Sequence, residues 1–206
     1  DLSPDSVASC IEEVGIGFMF APAHHSAMKF AAPVRRELGV KTLFNVLGPL
    51  TNPAGAKRQV MGVFDRRLLV QQARVLQRLG STRAMIVHGE NGLDEMSPSG
   101  LTHVAELRDD EVREYQVSLE ALGVTPINLD DIKVADLGSA VRVFRGALSG
   151  EHRPGKTAVV LNAAASFYTL GMVENLDGGV ALAAATIESG GAEEKMNEFI
   201  AFTRRD

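Results

Sequence analysis

Two loops of this 206-residue sequence concentrate side chains able to do chemistry. One is His88-Gly89-Glu90-Asn91-Gly92-Leu93-Asp94-Glu95, which follows the apolar run Ala84-Met85-Ile86-Val87. It sets two carboxylates, Asp94 and Glu95, side by side. Hard oxygens of this kind suit Mg²⁺, which commonly takes one or two protein carboxylates and completes its shell with water and phosphate. Adjacent like charges repel, and a nearby cation relieves them. Two solvated acids in a turn have the same appearance, and the doublet alone leaves both readings open. The other loop is Phe20-Ala21-Pro22-Ala23-His24-His25-Ser26, between the apolar run Ile16–Phe20 and a helical stretch. Backbone N–H groups at such a helix start can hold an anion. Neighbouring helical residues point about 100° apart, so His24 and His25 make no metal site by spacing alone. Read by themselves, one caps the helix and the other lies at the surface. Arg35 stands ten residues beyond His25, close to three turns at about 3.6 residues per turn. It can return to the same face, with Pro33 intervening, and a guanidinium there would grip a carboxylate through two parallel hydrogen bonds. Arg36 reads as a solvated charge.

The elements that must position these loops alternate between helix and strand. Ser3 can cap, and Pro4 can begin, a helix over 4–14. Ile16–Phe20 reads as a buried strand. A helix over about 26–38 carries Pro33, which kinks or interrupts it. Residues 42–47 are ambiguous. Gly48 to Gly55 is dense in turn residues and reads as a close backbone approach to a ligand or a neighbouring element; it matches neither G-x-G-x-x-G nor a Walker lysine pattern. Strands are expected at 58–64 and 84–87, with a helix over 66–79 between them that Gly80 stops. An antiparallel pair, 102–107 and 112–117, turns at Asp109-Asp110. Helices follow at 137–149, 154–171, 176–189 and 192–204. Continuously apolar strands alternating with helices give an α/β class with a mainly parallel sheet flanked by helices. Ligands of such sheets lie at the carboxyl ends of the strands. His103 and His152 read as surface residues, and Phe144, Phe167, Tyr168 and Phe199 as wholly or partly core.

Composition narrows the function classes. Lys plus Arg is 21 against 26 for Asp plus Glu, a formal charge of -5, which argues against a polyanion-binding protein. Hydrophobic residues at 45% and charged residues at 23% are those of an ordinary folded domain. Cys10 is the single cysteine; it excludes an internal disulfide and a multi-cysteine zinc site and fits a reducing cytoplasm. No apolar run approaches the roughly 20 residues of a membrane span. No nucleophile–base pair with triad spacing appears, so no catalytic side chain is assigned. The sequence opens at Asp1 rather than Met and reads as part of something longer.

Three ordered motifs resemble the anthranilate phosphoribosyltransferase family. Phe18-Met19-Phe20-Ala21-Pro22-Ala23-His24-His25-Ser26-Ala27-Met28-Lys29 is similar to its acceptor-binding loop. Val34-Arg35-Arg36 through Leu43-Phe44-Asn45-Val46-Leu47-Gly48-Pro49-Leu50-Thr51-Asn52-Pro53-Ala54 is similar to its long central motif, and His88-Gly89 through Asp94-Glu95 to its magnesium loop. The resemblance is strong over 15–100 and weaker, but in order, beyond.

It implies transfer of the phosphoribosyl group of 5-phosphoribosyl 1-pyrophosphate to the amine of anthranilate, releasing pyrophosphate, in tryptophan biosynthesis. It further implies a large α/β domain of the nucleoside phosphorylase and phosphoribosyltransferase type, beside a small helical domain, in a homodimer. Arg35 would pair with the anthranilate carboxylate. Ala21, Pro22, His25, Met28, Gly48 and Pro49 would line the anthranilate channel, and Asp94 and Glu95 would hold Mg²⁺ on the pyrophosphate side. Arg35 and the acidic doublet should flank one cleft. Ser26 stands where the family often has proline. The family's glycine-rich pyrophosphate loop, its Asn-containing Ser/Thr-rich segment and its Lys-His-Gly segment do not occur in the sequence. Residues 1–206 are therefore expected to be the C-terminal part of an incomplete α/β domain, inactive alone, with the missing N-terminal portion as a companion chain. Two other readings are carried: a related nucleoside phosphorylase, and a non-catalytic binding module on the same fold.

Overall fold

The computed structural model describes residues 2–20, 24, 37, 39 and 47–205. They fall into two compact units, residues 1–55 with 193–206, and residues 56–192.

In the first unit, helix α1 spans Pro4–Val14. Its start is written in sequence: Ser3 is extended, its side chain accepts from the Ser6 N–H at 3.1 Å, and Pro4 occupies the first turn. Gly15 ends it in the left-handed region, with its N–H on the Ile11 carbonyl at 3.0 Å. Val7, Cys10 and Val14 form the buried face, and Cys10 and Val14 pack with Phe202, Phe199 and Leu2. The Lys195 ammonium donates to the Val14 carbonyl at 3.0 Å, a cation where the helix dipole is negative. Burial pushes the Cys10 thiol pKa up, so it remains a neutral packing group. Ile16–Phe20 is not a strand. These residues form no ladder, and Ile16, Phe18 and Phe20 are exposed. An apolar run becomes a strand only where a partner satisfies its backbone, and none among the described residues does so here. The helix expected over 26–38 and the segment 42–46 fall largely or wholly outside the described residues.

The second unit is a four-stranded sheet in the order β1 (Arg58–Gly62), β2 (Arg83–Gly89), β3 (Thr102–Arg108) and β4 (Glu111–Val117). Helix α2 (Leu69–Arg78) makes the crossover from β1 to β2, which pair in parallel, with Arg58 beside Arg83 and Gly62 beside Val87. The β2–β3 and β3–β4 pairs are antiparallel. The α/β class stands, while parallel pairing among the described residues is confined to β1–β2. The reason is local: a two-residue turn can join only antiparallel neighbours. Asp109 and Asp110 have φ of 52° and 62°, the left-handed pair that matches the twist of a tight hairpin.

Alternation along β2 divides the core. Met85 and Val87 face a cluster with Met96, Val104, Val117, Leu161 and Ala165. Ala84 and Ile86 are equally buried on the opposite face, where α2 packs on β2 and β3 through a stripe that includes Leu69, Ala73 and Leu76. The first face is covered by α4 (Arg153–Leu170) and α5 (Leu176–Glu188), reached through α3 (Leu137–Ser149). Helices α4 and α5 approach closely because Gly179 has no side chain: a Cβ there would stand 2.7 Å from the Ala164 carbonyl oxygen. Helix α6 (Gly191–Phe202) follows.

One histidine departs from expectation, and a second has a structural role that the sequence did not assign. His103 is 8% exposed, because β3 lies inside the sheet, and its Nδ1 meets Gln116 Nε2 at 3.2 Å across the hairpin. Burial holds its pKa below the ordinary value. His152 caps α4, its Nδ1 accepting from the Gly155 N–H at 3.0 Å. Phe144, expected at least partly in the core, is 54% exposed.

Candidate functional site

The acidic loop leaves β2 at its carboxyl end, as α/β geometry requires of a ligand loop. It is closed rather than open. The Glu90 N–H donates to the Leu101 carbonyl at 2.9 Å, Gly89 to Leu93 at 2.8 Å, and Gly92 (φ 81°) to the Gly89 carbonyl at 2.9 Å. Asn91 Nδ2 reaches Ser99 Oγ at 2.8 Å, and the buried Ser97 N–H reaches Thr102 Oγ1 at 2.9 Å. Met96, Ser97 and Pro98 are buried beneath it. Asp94 and Glu95 are thus displayed by a loop whose ends are tied to the sheet, so little ordering remains to be done when a ligand arrives.

Two further elements seat the doublet. Gly62, at the end of β1, lies so close to the loop that a Cβ would fall 1.4 Å from the Asp94 carbonyl oxygen. From the other side, Asn162 of α4 donates Nδ2–H to Glu95 Oε2 at 3.1 Å and accepts the Met96 N–H on Oδ1 at 3.0 Å. Just outside the loop, His88 Nδ1 lies 2.7 Å from the Val63 carbonyl oxygen.

Electrostatics mark Glu95. Burial first, and then the Asp94 charge, push its carboxyl above the ordinary range, against the pull of the Asn162 hydrogen bond. Asp94 is exposed and Glu95 half-buried, and no ion pair to either is found among the described residues. An oxygen-rich, under-neutralised carboxylate pair is a donor set that fits a hard divalent cation. Among the described residues no cluster of three or more His, Cys, Asp or Glu side chains could hold a metal; two carboxylates would leave coordination positions open for water or phosphate.

The acceptor-side expectations divide. Ala21, Pro22, His25, Met28 and Arg35 lie outside the described residues. Gly48 and Pro49 open a short 3₁₀ turn, Gly48–Thr51, in which Thr51 Oγ1 donates to the Leu47 carbonyl at 3.1 Å. The Asn52 side chain then accepts from the Ala54 N–H at 2.9 Å. At Gly48 and Gly55 a Cβ would meet nothing within 4 Å, so no close backbone approach to a neighbouring element is seen there among the described residues. It occurs at Gly62 instead. His24 Nε2 is shielded from solvent and has no hydrogen-bond partner among the described residues.

Two site residues were not singled out in the sequence, and both had a signal. Gly62 ends β1, and glycine in a strand marks close approach. Asn162 sits in the apolar helical run Val159-Val160-Leu161-Asn162-Ala163-Ala164, where a polar side chain needs a specific partner.

The family model described as "Glycosyl transferase family, a/b domain" matches residues 1–193. An anthranilate phosphoribosyltransferase of Thioalkalivibrio sulfidiphilus is 50% identical over 203 residues, covering 98% of this chain and 60% of the relative. One of Methylibium petroleiphilum is 50% identical over 205 residues, with coverages of 100% and 60%. The crystal structure of the Thermus thermophilus anthranilate phosphoribosyltransferase superposes with a TM-score of 0.90 at 42% identity, over 98% of this chain and 60% of that one. The Saccharomyces cerevisiae enzyme in complex with PRPP and Mg gives 0.89 at 26% identity, over 100% and 59%. The chain therefore spans about three fifths of the length of the relatives it matches.

Proposed function

Because the chain belongs to the glycosyl transferase family through its a/b domain, we propose that it is the acceptor-side and metal-holding part of an anthranilate phosphoribosyltransferase of tryptophan biosynthesis. The observation carrying this reading is half identity to curated anthranilate phosphoribosyltransferases along nearly the whole chain. A carboxylate pair held out by a tied loop at a strand's carboxyl end supports it further.

In the proposed reaction the C–O bond between ribose and pyrophosphate breaks, and a C–N bond forms to the amine of anthranilate. Pyrophosphate departs with the bonding pair, and the amine loses a proton. The amine is a neutral, weak nucleophile, so orientation must supply much of the acceleration. Arg35 supplies it by a bidentate contact with the acceptor carboxylate, and Ala21, Pro22, His25, Met28, Gly48 and Pro49 line the approach. Asp94 and Glu95 would hold Mg²⁺, which when bound offsets charge gathering on the departing pyrophosphate. The yeast relative's complex with PRPP and Mg supports that assignment, and its complex with 4-fluoroanthranilate supports the acceptor. No side chain is assigned a covalent role. The remaining two fifths of the relatives' length is proposed to bring the donor-binding motifs, in a cytoplasmic homodimer.

The test is direct. Anthranilate fluorescence titrated with the chain should report binding that Arg35→Ala weakens at least tenfold and Arg35→Lys does not restore, since a point charge cannot replace the planar fork. Transfer activity should be slight for the chain alone and return when the rest of an intact relative is supplied. Phosphorolysis of a nucleoside without anthranilate binding would overturn the assignment.

A further inference from the structure

We propose that Asn162 is a positioning residue for the acidic loop: its carboxamide fixes one oxygen of Glu95 and thereby leaves the other aimed for a divalent cation. The proposal rests on the metal reading of Asp94 and Glu95 above.

The three polar contacts of Asn162 use both of its amide hydrogens and one lone pair of its oxygen. Oδ1 accepts the Met96 N–H at 3.0 Å, and the two hydrogens of Nδ2 go to Glu95 Oε2 at 3.1 Å and the Ala158 carbonyl at 3.0 Å. A backbone donor faces one end of the amide and two acceptors face the other, so its orientation is dictated by its partners. No hydrogen remains for a ligand; Asn162 acts on the site through Glu95. Anchoring the loop would need only the bond to Met96. The second bond engages a carboxylate, the stronger kind of hydrogen bond, and restrains the Glu95 side chain. Position 162 also sacrifices helix propensity for this contact, since asparagine is a poorer helix former than the leucine and alanine beside it. Partners that orient a metal's ligands commonly change affinity about 10- to 100-fold when removed.

Mn²⁺ serves as the probe, with the free-ion spin resonance signal reporting binding to the 206-residue chain. Asn162→Ala is expected to weaken Mn²⁺ binding about tenfold. Glu95→Gln should weaken it too, and the double variant should be no weaker than Glu95→Gln alone. Parent-like affinity in folded Asn162→Ala, or an undiminished further loss in the Glu95→Gln background, would overturn the proposal. Thr169→Ala, which removes a buried hydroxyl bonded to the Ala165 carbonyl on the same helix, should lower the melting temperature and leave Mn²⁺ affinity unchanged; an equal loss there would mean that helix stability, not Glu95, sets affinity. Should Asn162→Ala not fold, Asn162→Gln keeps the amide but shifts it by one methylene, and parent affinity in that variant also overturns the role. If Asp94→Asn and Glu95→Gln leave Mn²⁺ binding untouched, the metal reading itself fails. If they weaken it while Asn162→Ala does not, the positioning role alone fails.

Discussion

At the scale of single residues, Gly62 and Asp65 show how the end of β1 is specified. Gly62→Ala would drive a methyl into the Asp94 carbonyl. The loop must then lift from the strand, at a cost of about 3 kcal/mol by analogy with overpacked cores. Chemical denaturation should read that loss, and Mn²⁺ affinity should fall with it. Three residues on, the Arg67 guanidinium bonded to Asp65 holds its carboxyl at about 2, below the ordinary 3.8. A depressed carboxylate lends stability above its ordinary value and loses it as pH falls through the depressed one. The gap in urea midpoint between parent and Asp65→Asn should therefore be constant above about pH 5 and close between about pH 4 and pH 2. Legibility at this scale was uneven. Asp94 and Glu95 declare themselves as an acidic pair beside glycines, whereas Asn162 lies 67 residues from Glu95, and only the fold brings them together. His103 misled because nothing in its immediate sequence says that its strand is interior.

At the scale of elements, local chemistry was nearly sufficient. Ser3-Pro4 and Gly15 bracket α1, and Asp136 caps α3 with a reciprocal box to Ser139. Asp136→Ala should cost about 1 kcal/mol, measured by thermal melting. The hairpin turn is built with aspartates where asparagine and glycine are preferred. Asp109→Asn with Asp110→Gly should stabilise the unit by about 1 kcal/mol, because glycine accepts φ of 62° without strain. Part of that gain is offset by loss of the 2.9 Å contact from Gln77 Nε2 to the Asp110 carboxylate. What local pattern could not give was pairing. Ile16–Phe20 has a strand's composition and no ladder, since composition states that a run is apolar and not which backbone will satisfy it.

At the scale of the molecule, apolar surface is left in view. Leu137, Val141 and Phe144 follow a helical spacing on α3 and are 81%, 44% and 54% exposed. Contiguous exposed apolar surface binds hydrophobic dyes and promotes association. Leu137→Gln with Phe144→Gln should reduce dye fluorescence while changing stability by less than about 0.5 kcal/mol. Phe144, expected at least partly in the core, belongs to this stripe, and no surface among the described residues covers it.

The tie from α4 to the acidic loop transmits in both directions. If Asn162 steadies Glu95, a cation captured by Glu95 must steady Asn162 in return, because binding free energies are reciprocal. Occupancy should thus be felt as slower amide exchange around Ala158–Asn162, in the interior of a helix that contributes no ligand of its own.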